Sequence, residues 1–127
     1  MKKISNSEFV IMNVLWQADE ALNRHEIAKR VQLSPFNQTW ELATVSTFIT
    51  RLYQKEFIDY KKEDKIYHYY PTISRLDYNR AVIDEKIYES FGKSIEELLL
   101  EYTNNPVNEK NLQKIKDYIN KLTKKKN

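Results

Sequence analysis

The chain has no cysteine, a single glycine at Gly92, three prolines and two histidines among its 127 residues. Each scarcity closes off a kind of chemistry. Without cysteine there is no disulfide, no thiol nucleophile and no thiolate metal site. Only His25 and His68, beside carboxylates, are left as ligands, so no metal is expected. A single glycine excludes a glycine-rich phosphate loop and a dinucleotide fingerprint, so no cofactor is expected either. The longest wholly apolar stretch is a few residues, as at Leu98-Leu99-Leu100. That is too short to cross a bilayer, and the first residues lack the apolar core of a secretory signal. The expected location is therefore the cytoplasm, with no membrane partner. A chain this short fits one small domain, or a compact domain plus an appendage, and leaves little room for a small-molecule substrate pocket. No Ser/His/Asp arrangement and no paired carboxylates with a pocket stand out, so no enzyme is expected.

Charge of either sign is also in short supply as a surplus. The net charge is +3; residues 1–70 hold ten Lys/Arg against nine Asp/Glu, and residues 71–127 hold eleven against nine. Any affinity for nucleic acid must then rest on where the cations sit, because counterion release depends on the Lys and Arg that reach phosphates.

What the chain does have is a succession of helix signals. Ser5-Asn6-Ser7-Glu8 is a capping box, in which a hydroxyl and a carboxylate satisfy free backbone donors, and it opens a helix over about 6–18. Phe9, Met12, Leu15 and Trp16 recur on it at helical spacing and read as a core stripe. Asn23-Arg24-His25-Glu26 is a second capping box, opening a short helix to about Val31 that buries Ile27, Ala28 and Val31 and turns Arg24, Lys29 and Arg30 outward. Ser34-Pro35 stops any continuation, and Thr39 is placed to cap a third helix over about 40–55, with Glu41 in its first turn.

On that third helix Leu42, Val45, Phe48 or Ile49, and Leu52 share one side, leaving Ala43, Thr44, Ser46, Thr47, Thr50, Arg51, Gln54 and Lys55 on the other. The exposed side is small, polar and cationic. Threonine offers a hydroxyl and a methyl together, suited to phosphates and base edges, and arginine can grip guanine or phosphate with two donors. An ordinary solvated face would read the same way. The next segment supplies the context. Phe57–Lys62 and Ile66–Tyr70 are β-prone runs separated by Glu63-Asp64-Lys65, which reads as a hairpin. Three helices followed by a hairpin form a winged helix-turn-helix. In that architecture the third helix enters the major groove and the hairpin follows the backbone, where Lys61, Lys62, Lys65 and Tyr67 would meet phosphates.

The stretch "ITRLYQKEFIDYKKEDKIYHYYP", together with "SEFVIMNVLW" near the start, resembles the penicillinase repressor family, the small winged-helix repressors of β-lactam resistance and copper homeostasis genes. The likeness is strongest over about 6–71. It implies a homodimer on a pseudo-palindromic double-stranded DNA operator, with Ala43, Thr44, Ser46, Thr47 and Arg51 of the third helix facing DNA; the exposed side of that helix adds Lys55 to the expected contacts. Four departures stand out. Family members often carry basic side chains where this chain has Ala43 and Ser46. They commonly end the third helix at a glycine, where this chain has Glu56, so strain or another cap geometry is expected there. The copper-responsive branch has a cysteine motif that is missing. The β-lactam branch is released by proteolysis at an Asn-Phe bond, whose place here is Glu101-Tyr102, so the resemblance also implies a sensor protease as partner.

After Pro71 the pattern returns to helices. One spans about 74–91 and holds Leu76, Ile83, Ile87 and Phe91. A second follows the capping box Ser94-Ile95-Glu96-Glu97 and buries Leu98, Leu99 and Tyr102. A third, after Pro106 and capped by Asn108, carries Leu112, Ile115, Ile119 and Leu122 at the spacing of a packing seam. Helices this thin need a second copy to complete a core, so Leu98, Leu99, Tyr102, Leu112, Ile115, Ile119 and Leu122 form the expected dimer seam. A self-contained helical cap on the winged domain would read similarly. The expected architecture is mainly α (α+β), with a winged helix-turn-helix DNA-binding domain over 1–72 and a three-helix dimerisation domain with a lysine-rich tail over 73–127. A repressor is the leading functional reading. The alternative is a winged-helix protein-interaction module without specific DNA contact, favoured by the five Lys/Arg and five Asp/Glu that balance over residues 35–70.

Overall fold

The computed structural model describes residues 2–104 and 109–124, with the side chains of 104, 111 and 122–124 excepted. Pro106, the cap at Asn108, the side chain of Leu122 and the end of the lysine-rich tail lie outside the described residues. The elements run α1 (Asn6–Gln17), α2 (Arg24–Val31), α3 (Leu42–Gln54), β1 (Ile58–Glu63), β2 (Ile66–Pro71), α4 (Arg75–Phe91), α5 (Ile95–Asn104) and α6 (Glu109–Lys124). The chain divides between Arg75 and Leu76 into two compact units.

In the first unit both expected capping boxes close. Ser5 Oγ accepts from the Glu8 N–H at 3.1 Å while Glu8 Oε1 accepts from the Ser5 N–H at 2.9 Å. Asn23 and Glu26 repeat the exchange at 2.9 and 3.0 Å. The core they frame consists of Ile11, Met12, Val14 and Leu15 of α1, Leu22, Ile27, Val31, the α3 residues Val45, Ile49 and Leu52, and Phe57 and Ile58. The buried stripe of α1 is thus rotated from the expected one. Phe9 and Trp16 are only half-buried. They meet edge to face at 6.0 Å, and the Trp16 indole N–H donates to the Ile73 carbonyl at 2.9 Å. That bond holds the chain leaving the hairpin against α1.

Helix α3 starts later than expected. Glu41, not Thr39, is its N-cap, in extended backbone and without a side-chain cap bond. Trp40 packs edge-on against Phe48 with ring centroids 5.0 Å apart. This contact ties the residue preceding the helix to its second turn while the chain is still extended. The C-terminus forms a Schellman motif, in which the Phe57 N–H reaches the Leu52 carbonyl and the Glu56 N–H the Tyr53 carbonyl, both at 3.0 Å. Glu56 occupies the left-handed position with φ 67°, where a side chain is disfavoured and glycine is usual. Thr72 fastens the turn, its hydroxyl donating to the Glu56 carbonyl at 2.7 Å.

The hairpin pairs Ile58 with Pro71 through Glu63 with Ile66. Glu63 belongs to β1, so the turn is the two residues Asp64 and Lys65, not three. Both have positive φ, 51° and 68°, the geometry that matches the right-handed twist of the strands. One contact has no sequence signature: Leu22, between α1 and α2, pairs with Tyr69, each N–H meeting the other's carbonyl at 3.0 and 2.7 Å. The wing therefore gains a one-residue third strand.

In the second unit α4 buries Tyr78 and Ile87, and α5 buries Leu98. Gly92, at φ 69°, ends α4, and the Ser94 hydroxyl accepts from the Glu97 N–H at 3.1 Å to start α5. Tyr118 of α6 sits edge-on to Phe91 at 5.8 Å and shares a hydroxyl hydrogen bond with Ser90. Three expected core positions are corrected here. Leu76, Phe91 and Leu99 are 77%, 42% and 51% exposed. Apolar periodicity marks a face, but two or three helices cannot cover every such face within one chain.

Candidate nucleic-acid interface

Packing of Val45, Ile49 and Leu52 inward turns Ala43, Thr47, Thr50, Arg51 and Gln54 to the surface, all of them exposed. Thr44 and Ser46 flank them, half-buried. Ser46, Thr47, Thr50, Arg51 and Gln54 line one shallow depression of about 350 Å³. Arg51 makes no ion pair among the described residues, so its planar guanidinium is unengaged. Ser46 Oγ is buried against the helix with no hydrogen-bond partner among the described residues. Of the expected contacts, Ala43, Thr44, Ser46, Thr47 and Arg51 thus lie on one continuous helical face. Thr50 and Gln54 share that face, as their spacing from Thr47 requires.

Lys55 is placed differently. Its Nζ bonds both oxygens of the Glu8 carboxylate, at 2.7 and 2.9 Å, and Glu8 is only 2% exposed. The ammonium is committed to the protein interior, tying the end of α3 to the start of α1, and does not belong with the exposed cations. Burial pushes the Glu8 carboxyl up, but the Lys55 hydrogen bond, the Ser5 bonds and the ammonium charge together hold it below its ordinary value.

The wing residues do not form a single row. Successive strand residues face opposite sides of a sheet. Lys62 stands opposite Tyr67, and its Nζ lies 5.4 Å from that ring's centroid, a cation–π contact. Lys61 faces the other side, opposite His68, and pairs with Glu63 at 3.4 Å. Both partners are well exposed, so the pair contributes little. Lys65 occupies the turn. Lys61 and Lys62 therefore cannot line one phosphate track, and the side carrying Lys62 and Tyr67 is the one continued by other aromatic rings. Tyr60 meets Tyr67, Tyr53 of α3 and Tyr69 at 4.7, 5.5 and 6.2 Å. This tyrosine cluster joins the end of α3 to the wing. Burial raises the Tyr69 hydroxyl above its ordinary range. Strand alternation alone would have placed Tyr60 at the hub of this cluster.

In the second unit Leu98 is buried within the chain, Tyr102, Leu112, Ile115 and Ile119 are half-buried, and Leu99 is exposed. The Glu101-Tyr102 bond lies inside α5, with Glu101 ion-paired to Lys93.

A family model described as "Penicillinase repressor" matches residues 4–121. The chain is 28% identical over 120 residues to the methicillin resistance regulatory protein MecI of Staphylococcus aureus, covering 94% of each chain. It is 28% identical over 124 residues to the penicillinase repressor of the same species, covering 97% of this chain and 95% of that one. The penicillinase repressor of Bacillus licheniformis is 26% identical over 108 residues, covering 83% and 81%. Among solved structures, the DNA-binding domain of the repressor BlaI superposes with TM-score 0.51 at 32% identity, over 61% of this chain and 94% of that one. The B. licheniformis BlaI monomer in complex with the blaP half-operator gives TM-score 0.50 at 30% identity, over 61% and 89%.

Proposed function

The chain belongs to the penicillinase repressor family, and on that premise we propose that it is a transcriptional repressor, not an enzyme, which binds double-stranded operator DNA through α3 and its wing. The observation that carries this reading is the outer face of α3. It holds a run of small polar side chains and one unpaired arginine, on a helix whose other side is locked into the core. In a winged helix-turn-helix such a face enters the major groove, where side chains reach base edges, and Lys62, Lys65 and Tyr67 would meet the neighbouring backbone. Occlusion of the promoter is the whole of the proposed mechanism, and the cytoplasm is its setting. Among the described residues no helix is long and apolar enough to cross a membrane.

Residues 1–72 form the proposed DNA-binding domain and 73–127 the proposed dimerisation domain. Support for a homodimer comes from Tyr88, Leu99 and Leu100, which are 62%, 51% and 61% exposed on a single chain. Leu98, Tyr102, Leu112, Ile115 and Ile119 would line the interior behind that surface. Relief by a sensor protease at Glu101-Tyr102 would require α5 to open first, because proteases bind extended chain.

The test is binding of the purified protein to a duplex from upstream of its own coding sequence against a shuffled duplex, titrated across salt. Selective binding with a steep negative salt slope is expected. Arg51→Ala should remove the selectivity, at about 1–3 kcal/mol for one bidentate base contact, and leave the oligomeric state unchanged. Equal, weak binding to both duplexes would point instead to a protein partner.

A further inference from the structure

The hydroxyls of Thr47 and Thr50 do not face outward as donors. Thr47 Oγ1 donates to the Ala43 carbonyl at 3.0 Å and Thr50 Oγ1 to the Ser46 carbonyl at 2.9 Å. A hydroxyl has one hydrogen, and here it is spent inside the helix. What each threonine leaves for a partner is its γ-methyl and an oxygen lone pair. The β-branched side chain is stiff about its first torsion, so that presentation is fixed. Both residues are exposed, and Ala43, one turn before Thr47, adds a third methyl. The centre of the face is therefore a strip of methyl groups. The unpaired Arg51 guanidinium sits on one side of it as the exposed donor, while the Ser46 hydroxyl on the other side is buried against the helix.

From this arrangement we propose that Thr47 and Thr50 read thymine methyl groups in the operator and act there as apolar contacts and acceptors, never as hydroxyl donors. Thymine's C5 methyl is the apolar group among the base edges of the major groove, and it is the complement of such a strip. Thr50 thereby joins the specificity-determining positions. Arg51, beside the strip, would take the acceptor pair of a neighbouring guanine. The proposal rests on the repressor reading and refines what α3 recognises.

The test changes the DNA before it changes the protein. In the upstream duplex, each thymine of the bound region is replaced singly by deoxyuridine, which removes the methyl and nothing else, and affinity of the full chain is measured by fluorescence anisotropy. At least one substitution per half-site should weaken binding roughly three- to tenfold, the scale of one or two buried methyl groups. Thr47→Val and Thr50→Val keep the methyl but can neither donate nor accept, so both should retain the uracil penalty, with any loss of affinity equal on the thymine and uracil duplexes. Thr47→Ser and Thr50→Ser lose the methyl, so they should bind the thymine duplex more weakly and no longer distinguish uracil. If the wild-type chain prefers its upstream duplex over a shuffled one yet every uracil duplex binds equally well, the methyl readout is wrong and the repressor reading stands. If the wild-type chain shows no preference for the upstream duplex, both fall.

Discussion

Glu8 combines two structural tasks in one carboxylate. One oxygen closes the capping box of α1 by accepting from the Ser5 N–H, and both oxygens receive the Lys55 ammonium. Lys55→Ala would leave a buried carboxylate with its cap bond alone. Its expected cost is about 2 kcal/mol, below the range for a fully buried pair because Lys55 itself is 28% exposed. Thermal melting checks that value, and operator selectivity per folded molecule should be unchanged, which separates Lys55 from Arg51. The same carboxylate fixes a pH dependence. Its folded pKa is lowered from 4.5, so the stability it contributes is fully present above that value and is lost as pH falls through the lower folded value. Glu8→Gln should abolish that part of the acid dependence.

At the scale of elements, the end of α3 stores a small, removable strain. Glu56 adopts φ 67° in a Schellman turn whose hydrogen bonds are all made by backbone or by Thr72. Glu56→Gly keeps every one of those bonds and should stabilise the first unit by about 1 kcal/mol, read as a raised denaturant midpoint with an unchanged slope. The position was flagged by the resemblance, since relatives carry a glycine there, and the helix stripe and the β-prone run leave room for only one turn between them. The two capping boxes, the Val45, Ile49 and Leu52 stripe and the hairpin were legible in the sequence itself, since each is set by residues a few positions apart. The start of α3 was not, because the packing of Trp40 against Phe48 decides it. Nor was the role of Lys55, whose partner lies far back in the chain, nor the bridge at Leu22, where one residue pairs and no pattern can form. Lys61 and Lys62 looked equivalent in the sequence until strand register put them on opposite sides.

For the whole molecule, a single chain leaves more apolar surface open than its helices can cover. Leu76, Tyr88, Leu99 and Leu100 all exceed 50% exposure, and the sequence pattern counted Leu76 and Leu99 as core because periodicity marks a face without saying what covers it. Leu99→Asp with Leu100→Asp should give a monomer in sedimentation and weaken operator binding by at least tenfold, because two linked half-sites become independent ones. A dimer that persists would place the contact elsewhere. The winged unit, by contrast, is closed within itself at the Leu22–Tyr69 pairing, where two reciprocal backbone bonds join the wing to the connector between α1 and α2. In mechanical terms that pairing is a rivet: the wing cannot swing away from the roots of α1 and α2 without breaking both bonds.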